Sequence, residues 1–279
     1  MPLGLISSNV GGTLAERWIR RETLEARPEL TTPEELKRAG DLYNAMIAPL
    51  TPYAIRGVLW YQGEANIDRA FQYRELLPLL VNDWRQVWNM PELPFLIVQL
   101  APVGKVESQP QDTVWAELCE AQLLASQSLF KAPLVVTMDV GDTTVHPPRK
   151  AEVGSRLALA ARAMAYAEDI PYSGPVCEGM SIRSGKVHLR FQFVGDGLIA
   201  KGDELKGFTV AGEDRKFHNA NAKIQGDQVV VWSDEVPTPI AVRYGWASQP
   251  VANLFNVHGL PASPFRTDAF KLLSQDRVK

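Results

Sequence analysis

Three short apolar runs, at residues 58–61 (VLWY), 95–100 (FLIVQL) and 133–139 (PLVVTMD), alternate with stretches at 73–87, 115–128 and 152–168 whose apolar residues recur at helical spacing. Runs this short, rich in β-branched and aromatic side chains, suit buried strands. Strands separated by helices of this length pair in parallel, because a crossover that long brings the chain back to the same end of the sheet. The alternation therefore predicts an α/β fold: a parallel sheet covered by helices. A further unit is expected at the start, where Leu3–Ile6 reads as a strand ending at Ser7-Ser8-Asn9-Val10-Gly11-Gly12-Thr13, followed by helix over 14–20. Thr32-Pro33-Glu34-Glu35 carries the signature of a capped helix start, with the helix expected to run to about residue 47.

From about residue 174 the pattern changes. Short alternating segments at 186–191, 228–232 and 240–244 are separated by Gly-Asp and Pro-containing turns, which is the pattern of an all-β region. We expect an α/β domain at residues 1–174 and a β-rich domain at 175–279 packed on it. No low-complexity linker separates them, so the junction should be rigid, with Trp246, Phe255 and Phe265 buried at or near it.

Composition narrows the function. Hydrophobic residues make up 46% of the 279, as in a packed globule, and the formal net charge of −3 with scattered basic residues argues against a nucleic-acid partner. Cys119 and Cys177 lack the spacing of metal ligands, and no cofactor is expected. No stretch approaches the roughly 20 apolar residues of a membrane helix, and MPLGLISSNVGGT has neither the basic flank nor the apolar core of a signal peptide. No membrane partner is expected.

The chemistry gathers where the strands stop. The expected first strand ends at Gly11-Gly12, the next at Gln62-Gly63-Glu64-Ala65-Asn66, and the last at Asp139, followed seven residues later by His146. In a parallel sheet these loops emerge at one edge, where α/β proteins bind ligands. Taken singly, a glycine pair is a tight turn, a Gln-Gly-Glu corner is solvated, and a histidine before proline is structural. Taken together they supply the parts of an oxyanion hole and a general base: freed backbone N–H groups, a side-chain amide, an imidazole and nearby carboxylates. His188, His218 and His258 lie among the β segments without evident partners and read as structural.

Five segments in order, LGLISSNVGGT, GVLWYQGEAN, PFLIVQLAP, VVTMDVGDTTVHPPRKAEVGSRLALAARAMAY and AVRYGWASQPVANLFNVHGLPASPFRTD, resemble the sialate O-acetylesterase family, carbohydrate esterases of the SGNH-hydrolase type. The resemblance covers essentially the whole chain. It implies a three-layer SGNH-hydrolase-like parallel sheet and serine-esterase hydrolysis of acetyl esters on sugars, with an O-acetylated sugar as substrate and a secreted or periplasmic location. It implies Gly12 and the Gln62 amide as oxyanion donors and His146 as the base. Glu64 and Asn66 fall on the substrate side of the Gln62 loop, where they brace it.

The chain departs from the family pattern at two points. The Gly-Gln-Ser-Asn-Met type block that carries the nucleophile is absent from these 279 residues. The chain is thus expected to correspond to the C-terminal portion of such an esterase, lacking the first strand, with a second chain or segment supplying the nucleophile strand. Ser7 and Ser8 also follow the expected first strand and precede the glycines, but read as part of the oxyanion loop and not as a replacement nucleophile. The positions where the family places an acid just before the histidine hold Thr143 and Thr144, leaving Asp142, ahead of Asp139, as the expected acid partner. Two other classes remain open: a non-catalytic carbohydrate-binding or assembly fragment, and a glycoside hydrolase using Glu64 and Asp142, which would leave the amide and glycine loops without a role.

Overall fold

The computed structural model describes residues 3–277. Its α/β part contains α1 (Arg21–Glu25), α2 (Pro33–Leu36), β1 (Val58–Trp60), α3 (Ala70–Val87), β2 (Phe95–Val98), α4 (Val114–Ser128), β3 (Leu134–Val135) and α5 (Lys150–Tyr166). The strands form a parallel sheet in the order β1-β2-β3, with Leu59 beside Leu96 and Ile97 beside Leu134. Alternation along β2 divides the core. Phe95 and Ile97 join the cluster containing the α3 and α4 side chains Leu77, Leu80 and Leu118. Leu96 and Val98 point the other way, onto Val153 and Ala160 of α5. The sheet therefore lies between two helical layers, as the period-two and period-3.6 patterns require.

The helices form where local rules and apolar spacing agree. Tyr73, Leu76, Leu77, Leu80, Val81 and Trp84 put a buried stripe on α3. Thr113 caps α4, its hydroxyl accepting the Trp115 N–H at 3.2 Å. The expected capping box is present on α2: the Thr32 hydroxyl accepts the Glu35 N–H, and the Glu35 carboxylate accepts the Thr32 N–H at 2.9 Å.

Two expectations fail. The Leu3–Ile6 strand does not form; the segment is irregular, and Leu3, Leu5 and Ile6 are exposed. A strand needs a partner for its backbone groups, and among the described residues nothing pairs with the outer edge of β1. The long helix expected from residue 33 stops after one turn. Gly40 turns the chain in the left-handed region at φ +73, where a β-carbon would lie 3.1 Å from the Ile19 carbonyl oxygen, and a π-helical turn, Tyr43–Ile47, follows.

Among the described residues of the remainder there are ten strands: β4 (Val176–Arg183), β5 (Lys186–Gln192), β6 (Leu198–Ala200), β7 (Phe208–Ala211), β8 (Phe217–Asn219), β9 (Asn221–Gln225), β10 (Gln228–Trp232), β11 (Ala241–Tyr244), β12 (Leu254–Asn256) and β13 (Phe265–Arg266). They pair antiparallel as β4-β5-β10-β9, β13-β11-β7-β8 and β12-β6. Val187, Leu189, Val229 and Val231 of the first sheet meet Val210, Val242 and Tyr244 of the second in one core.

Trp246, Phe255 and Phe265 are all buried. Trp246 packs with Ala116 of α4 and Leu272, so it joins the β-rich region to the helices. Phe265 stays inside the β core, stacked 5.8 Å from Tyr244. Around Trp246 runs a buried ion network. Arg243 pairs with Asp112 and Asp268, and Arg266 reaches Glu120 at 2.8 Å and Asp268 at 3.0 Å. The C-terminal strap is anchored by Glu117, whose carboxylate accepts the Leu273 N–H at 2.6 Å and the Ser274 N–H at 3.0 Å.

Candidate active site

Trp60 ends β1, and the chain turns through Gln62-Gly63 into a 3-10 helix, Glu64–Arg69. The glycine is needed because α4 packs against the turn: a β-carbon on Gly63 would lie 2.6 Å from Leu118 Cδ2 and 3.2 Å from Leu100. The Gln62 amide is held on all sides. Its Nε2 donates to the Thr13 carbonyl at 3.1 Å and to Asn66 Oδ1 at 2.7 Å, and its Oε1 accepts the Tyr73 hydroxyl at 2.8 Å. The amide orientation follows from Asn66, whose Oδ1 also accepts the Ala15 N–H at 3.0 Å while its Nδ2 donates to Glu16 at 2.9 Å. Glu16 is fully buried and is neutralised by Arg69 at 2.5 Å, which also reaches Glu35 at 2.6 Å.

This knot explains the Gly11-Gly12 turn. Gly12 adopts φ +68 with no atom near the position of a β-carbon, so the glycine serves the turn and leaves the backbone open to approach. Thr13, next in the chain, gives its carbonyl to Gln62 and its hydroxyl to the Trp18 indole N–H at 3.0 Å. The Gly12 turn and the Gln62 corner are thus brought together, by side-chain hydrogen bonds and not by a shared sheet edge. In this arrangement both Gln62 N–H groups are used within the protein. Ser8 donates to the Met46 carbonyl at 3.2 Å, and Ser7 accepts from Asn9 at 2.7 Å; neither hydroxyl contacts an imidazole.

The loop after β3 carries His146, which is exposed and whose ring has no hydrogen-bond partner among the described residues. Asp139 does not orient it. Its carboxylate is bound by both Arg156 nitrogens at 2.7 Å, and Arg149 lies 3.7 Å away. Burial alone would raise the Asp139 pKa, but the Arg156 hydrogen bonds and charge outweigh it and hold the carboxyl below its usual range. Asp142 Oδ1 accepts the Thr143 N–H at 2.7 Å, and no hydrogen bond joins Asp142 to His146. Pro102 holds this loop close to the loop after β2: the Asp142 N–H donates to its carbonyl at 3.2 Å, and a β-carbon on Gly141 would lie 2.6 Å from that oxygen.

One contact bridges the two halves of the site. The Lys150 ammonium at the start of α5 lies 5.4 Å from the centre of the Tyr61 ring, next to Gln62. Partial burial of Tyr61, with the charge of Glu64 nearby, pushes its pKa up to about 12. Burial and Glu64 likewise push the Cys119 thiol up to about 12, so this cysteine is held as a neutral thiol. Glu64 opens the 3-10 helix at the β1 corner and is half-buried, while Asn66 is 1% exposed and braces the loop from inside. Sequence reasoning missed Tyr73, Glu16 and Arg69. Tyr73 carried a signal, since a tyrosine on an otherwise apolar helix stripe needs a hydroxyl partner; the Glu16–Arg69 pair carried none. Among the described residues no cluster of histidine, cysteine and acids suits a metal ion, and no helix is long and apolar enough to cross a membrane.

A parallel sheet between helices, with an amide corner and a histidine loop at its carboxyl edge and a glycine turn tied to that corner by hydrogen bonds, defines an α/β protein of the kind that binds ligands where its parallel strands end. Residues 1–163 match the family described as carbohydrate esterase, sialic acid-specific acetylesterase, and the chain belongs to that family. It is 30% identical to the sialate O-acetylesterase of Pongo abelii over 301 residues and 29% identical to that of Homo sapiens. Each alignment takes in 95% of this chain but only 57% of the relative, so the chain spans under three fifths of their length. Among solved structures, a carbohydrate acetylesterase from Xanthomonas citri superposes with a TM-score of 0.85 at 41% identity, covering 93% of this chain and 60% of that one.

Proposed function

We propose that this chain forms the base and oxyanion side of a carbohydrate O-acetylesterase of the SGNH type. The observation that carries the reading is the Gln62–Asn66–Thr13 knot, which fixes the Gly12 turn against the amide corner in a member of this family. A serine hydroxyl from a segment outside these 279 residues attacks the acetyl carbonyl, and His146 takes its proton. The Gly12 N–H and the Gln62 amide, on releasing the Thr13 carbonyl, stabilise the oxyanion; the sugar leaves with the proton returned by His146. Water then releases acetate from the acyl-enzyme by the same route. Asp142 is the carboxylate available to orient His146, because Asp139 is committed to Arg156. Glu64 borders the substrate side, and Asn66 supports the corner from inside.

Among the described residues β1 is an edge strand unpaired on its outer side, which supports a place for the nucleophile strand there. The change from helices to strands after α5 supports a domain division near residue 175. The reading carries with it a secreted or periplasmic location, to be checked by fractionating the host. The enzymatic test compares acetyl-ester hydrolysis by the chain alone with hydrolysis after a Gly-Gln-Ser-Asn-Met-bearing segment is supplied. We expect little or no turnover alone, restored turnover with the segment, and its loss in His146→Ala. A second reading, a non-catalytic carbohydrate-binding fragment, is favoured by the full use of both Gln62 N–H groups. It predicts sugar binding with no turnover under either condition.

A further inference from the structure

The loop after β2 leaves the sheet at the same carboxyl edge as the Gln62 corner and the Asp142 loop, because β2 lies between β1 and β3. Its first part is tied to the β-rich region and to the histidine loop together: the Val103 N–H donates to the Ser248 carbonyl at 2.8 Å, and Val103 bridges to Asp142. Its second part, from Glu107 to Gln111, forms one wall of a cavity of about 720 Å³. The facing walls come from β7, β9, the end of β10 at Trp232, and residues 246–251. A cavity of this size at a junction of two regions lies where proteins commonly bind small ligands.

Gln249 connects this cavity to the site. It lines the cavity, and its Oε1 is buried without a hydrogen-bond partner. A β-carbon on Gly141 would lie 3.0 Å from that same oxygen, so the side chain touches the loop that carries Asp142 and His146. The oxygen is closed in against Gly141, so Gln249 ties the cavity wall to the histidine loop by packing.

The walls have a definite chemistry. Gln109, Gln111, Thr209 and Asn221 present amides and a hydroxyl, and Trp232 stands beside Asn221 in the β9–β10 register. Lys186 lies 4.7 Å from the Trp232 ring centre on one side, which holds the indole in place. The charged groups are Glu107, Asp203 and Glu204 against Lys206 and Lys223, a slight excess of negative charge. Neutral donors and acceptors beside an indole suit a hydroxyl-rich, uncharged ligand, and the acids disfavour an anion.

We propose that this cavity is a subsite for neutral sugar residues of the oligosaccharide that carries the acetylated residue, with Gln249 the side chain between the subsite and the histidine loop. The proposal rests on the esterase reading for the location of the acetyl group, but binding needs no nucleophile and is measured separately. Calorimetric titration of the chain with lactose, N-acetyllactosamine, xylotetraose, cellotetraose and free sialic acid makes the test. At least one neutral oligosaccharide should bind, and more tightly than sialic acid. Thr209→Tyr, which fills the cavity, and Gln249→Ala should each weaken that binding at least tenfold while leaving the melting temperature within a few degrees. Absence of binding by all four neutral sugars, or binding unchanged in both folded variants, would overturn the proposal. Failure of ester hydrolysis with the Ser-bearing segment supplied, alongside intact, variant-sensitive binding, would count against the esterase reading and leave the subsite standing.

Discussion

At the scale of single residues, the site is held by polar groups whose partners are fixed, and the two aspartates near His146 differ in kind. Asp139 is a structural anion: Arg156 binds it through two hydrogen bonds, and only 18% of its side chain is exposed. Asp142 holds only its neighbour Thr143. Asp139→Asn should therefore lower stability by about 2–4 kcal/mol, since it leaves the buried Arg156 guanidinium without its counter-charge; urea unfolding measures this. Asp142→Asn should leave the unfolding midpoint nearly unchanged and reduce the restored turnover by 10²-fold or more if it orients the imidazole. Asn66 is the other decisive position. Asn66→Ala removes the acceptor for the Ala15 and Gln62 N–H groups and a donor to the buried Glu16 carboxylate. A cost of about 3 kcal/mol is expected in the same unfolding assay, from buried groups left unpaired.

At the scale of elements, Gly63 shows how helix packing sets the shape of the β1 corner. Gly63→Ala would push a methyl group into Leu118 and Leu100, so a loss of about 1–3 kcal/mol is expected from overpacking, read as a lowered melting temperature. The elements that sequence made legible are those whose signal is periodic and local. The helices over 70–87, 114–128 and 150–166 and the strand at 228–232 lie within a few residues of their expected bounds. The Thr32–Glu35 capping box was legible too, because it is made by residues three apart. Leu3–Ile6 was misread because a strand exists only if another backbone accepts its hydrogen bonds, and no local pattern reports that. The turn at Gly40 and the π-helical turn after it depend on the approach of Ile19 and Arg21 from elsewhere in the chain. In the site, sequence located the loops at the ends of β1 and β3. It could not show that Gln62 would spend its amide on Thr13 and Asn66, since those partners lie 49 and 4 residues away with no shared period.

At the scale of the whole molecule, the α/β part and the β-rich region are joined by contacts that leave little slack. Gly174 runs so close to Pro261 that a β-carbon would lie 2.0 Å from its carbonyl oxygen, and the Ser263 N–H donates to the Pro175 carbonyl at 3.1 Å. Beside this join, Asp268 is the buried hub of the ion network, with 1% of its side chain exposed, between Arg243 and Arg266. Burial by itself would raise the Asp268 pKa; the Arg243 hydrogen bond and charge, with the Arg266 charge, outweigh it and hold the carboxyl below its ordinary value of 3.8. A carboxyl whose folded pKa is depressed binds protons more readily when unfolded, so its stabilisation is complete above the unfolded pKa and is lost as pH falls through the folded one. Asp268→Asn removes the charge at every pH and leaves Arg243 without its most buried partner, at a cost of about 3–5 kcal/mol near neutrality. The difference in melting temperature between the parent and this variant should be constant above about pH 5, where the unfolded carboxyl is ionised, and should shrink as pH falls below 3.8. A difference that stayed constant through the acid range would show that the Asp268 charge contributes nothing to the junction, and that the two regions are held by its remaining contacts.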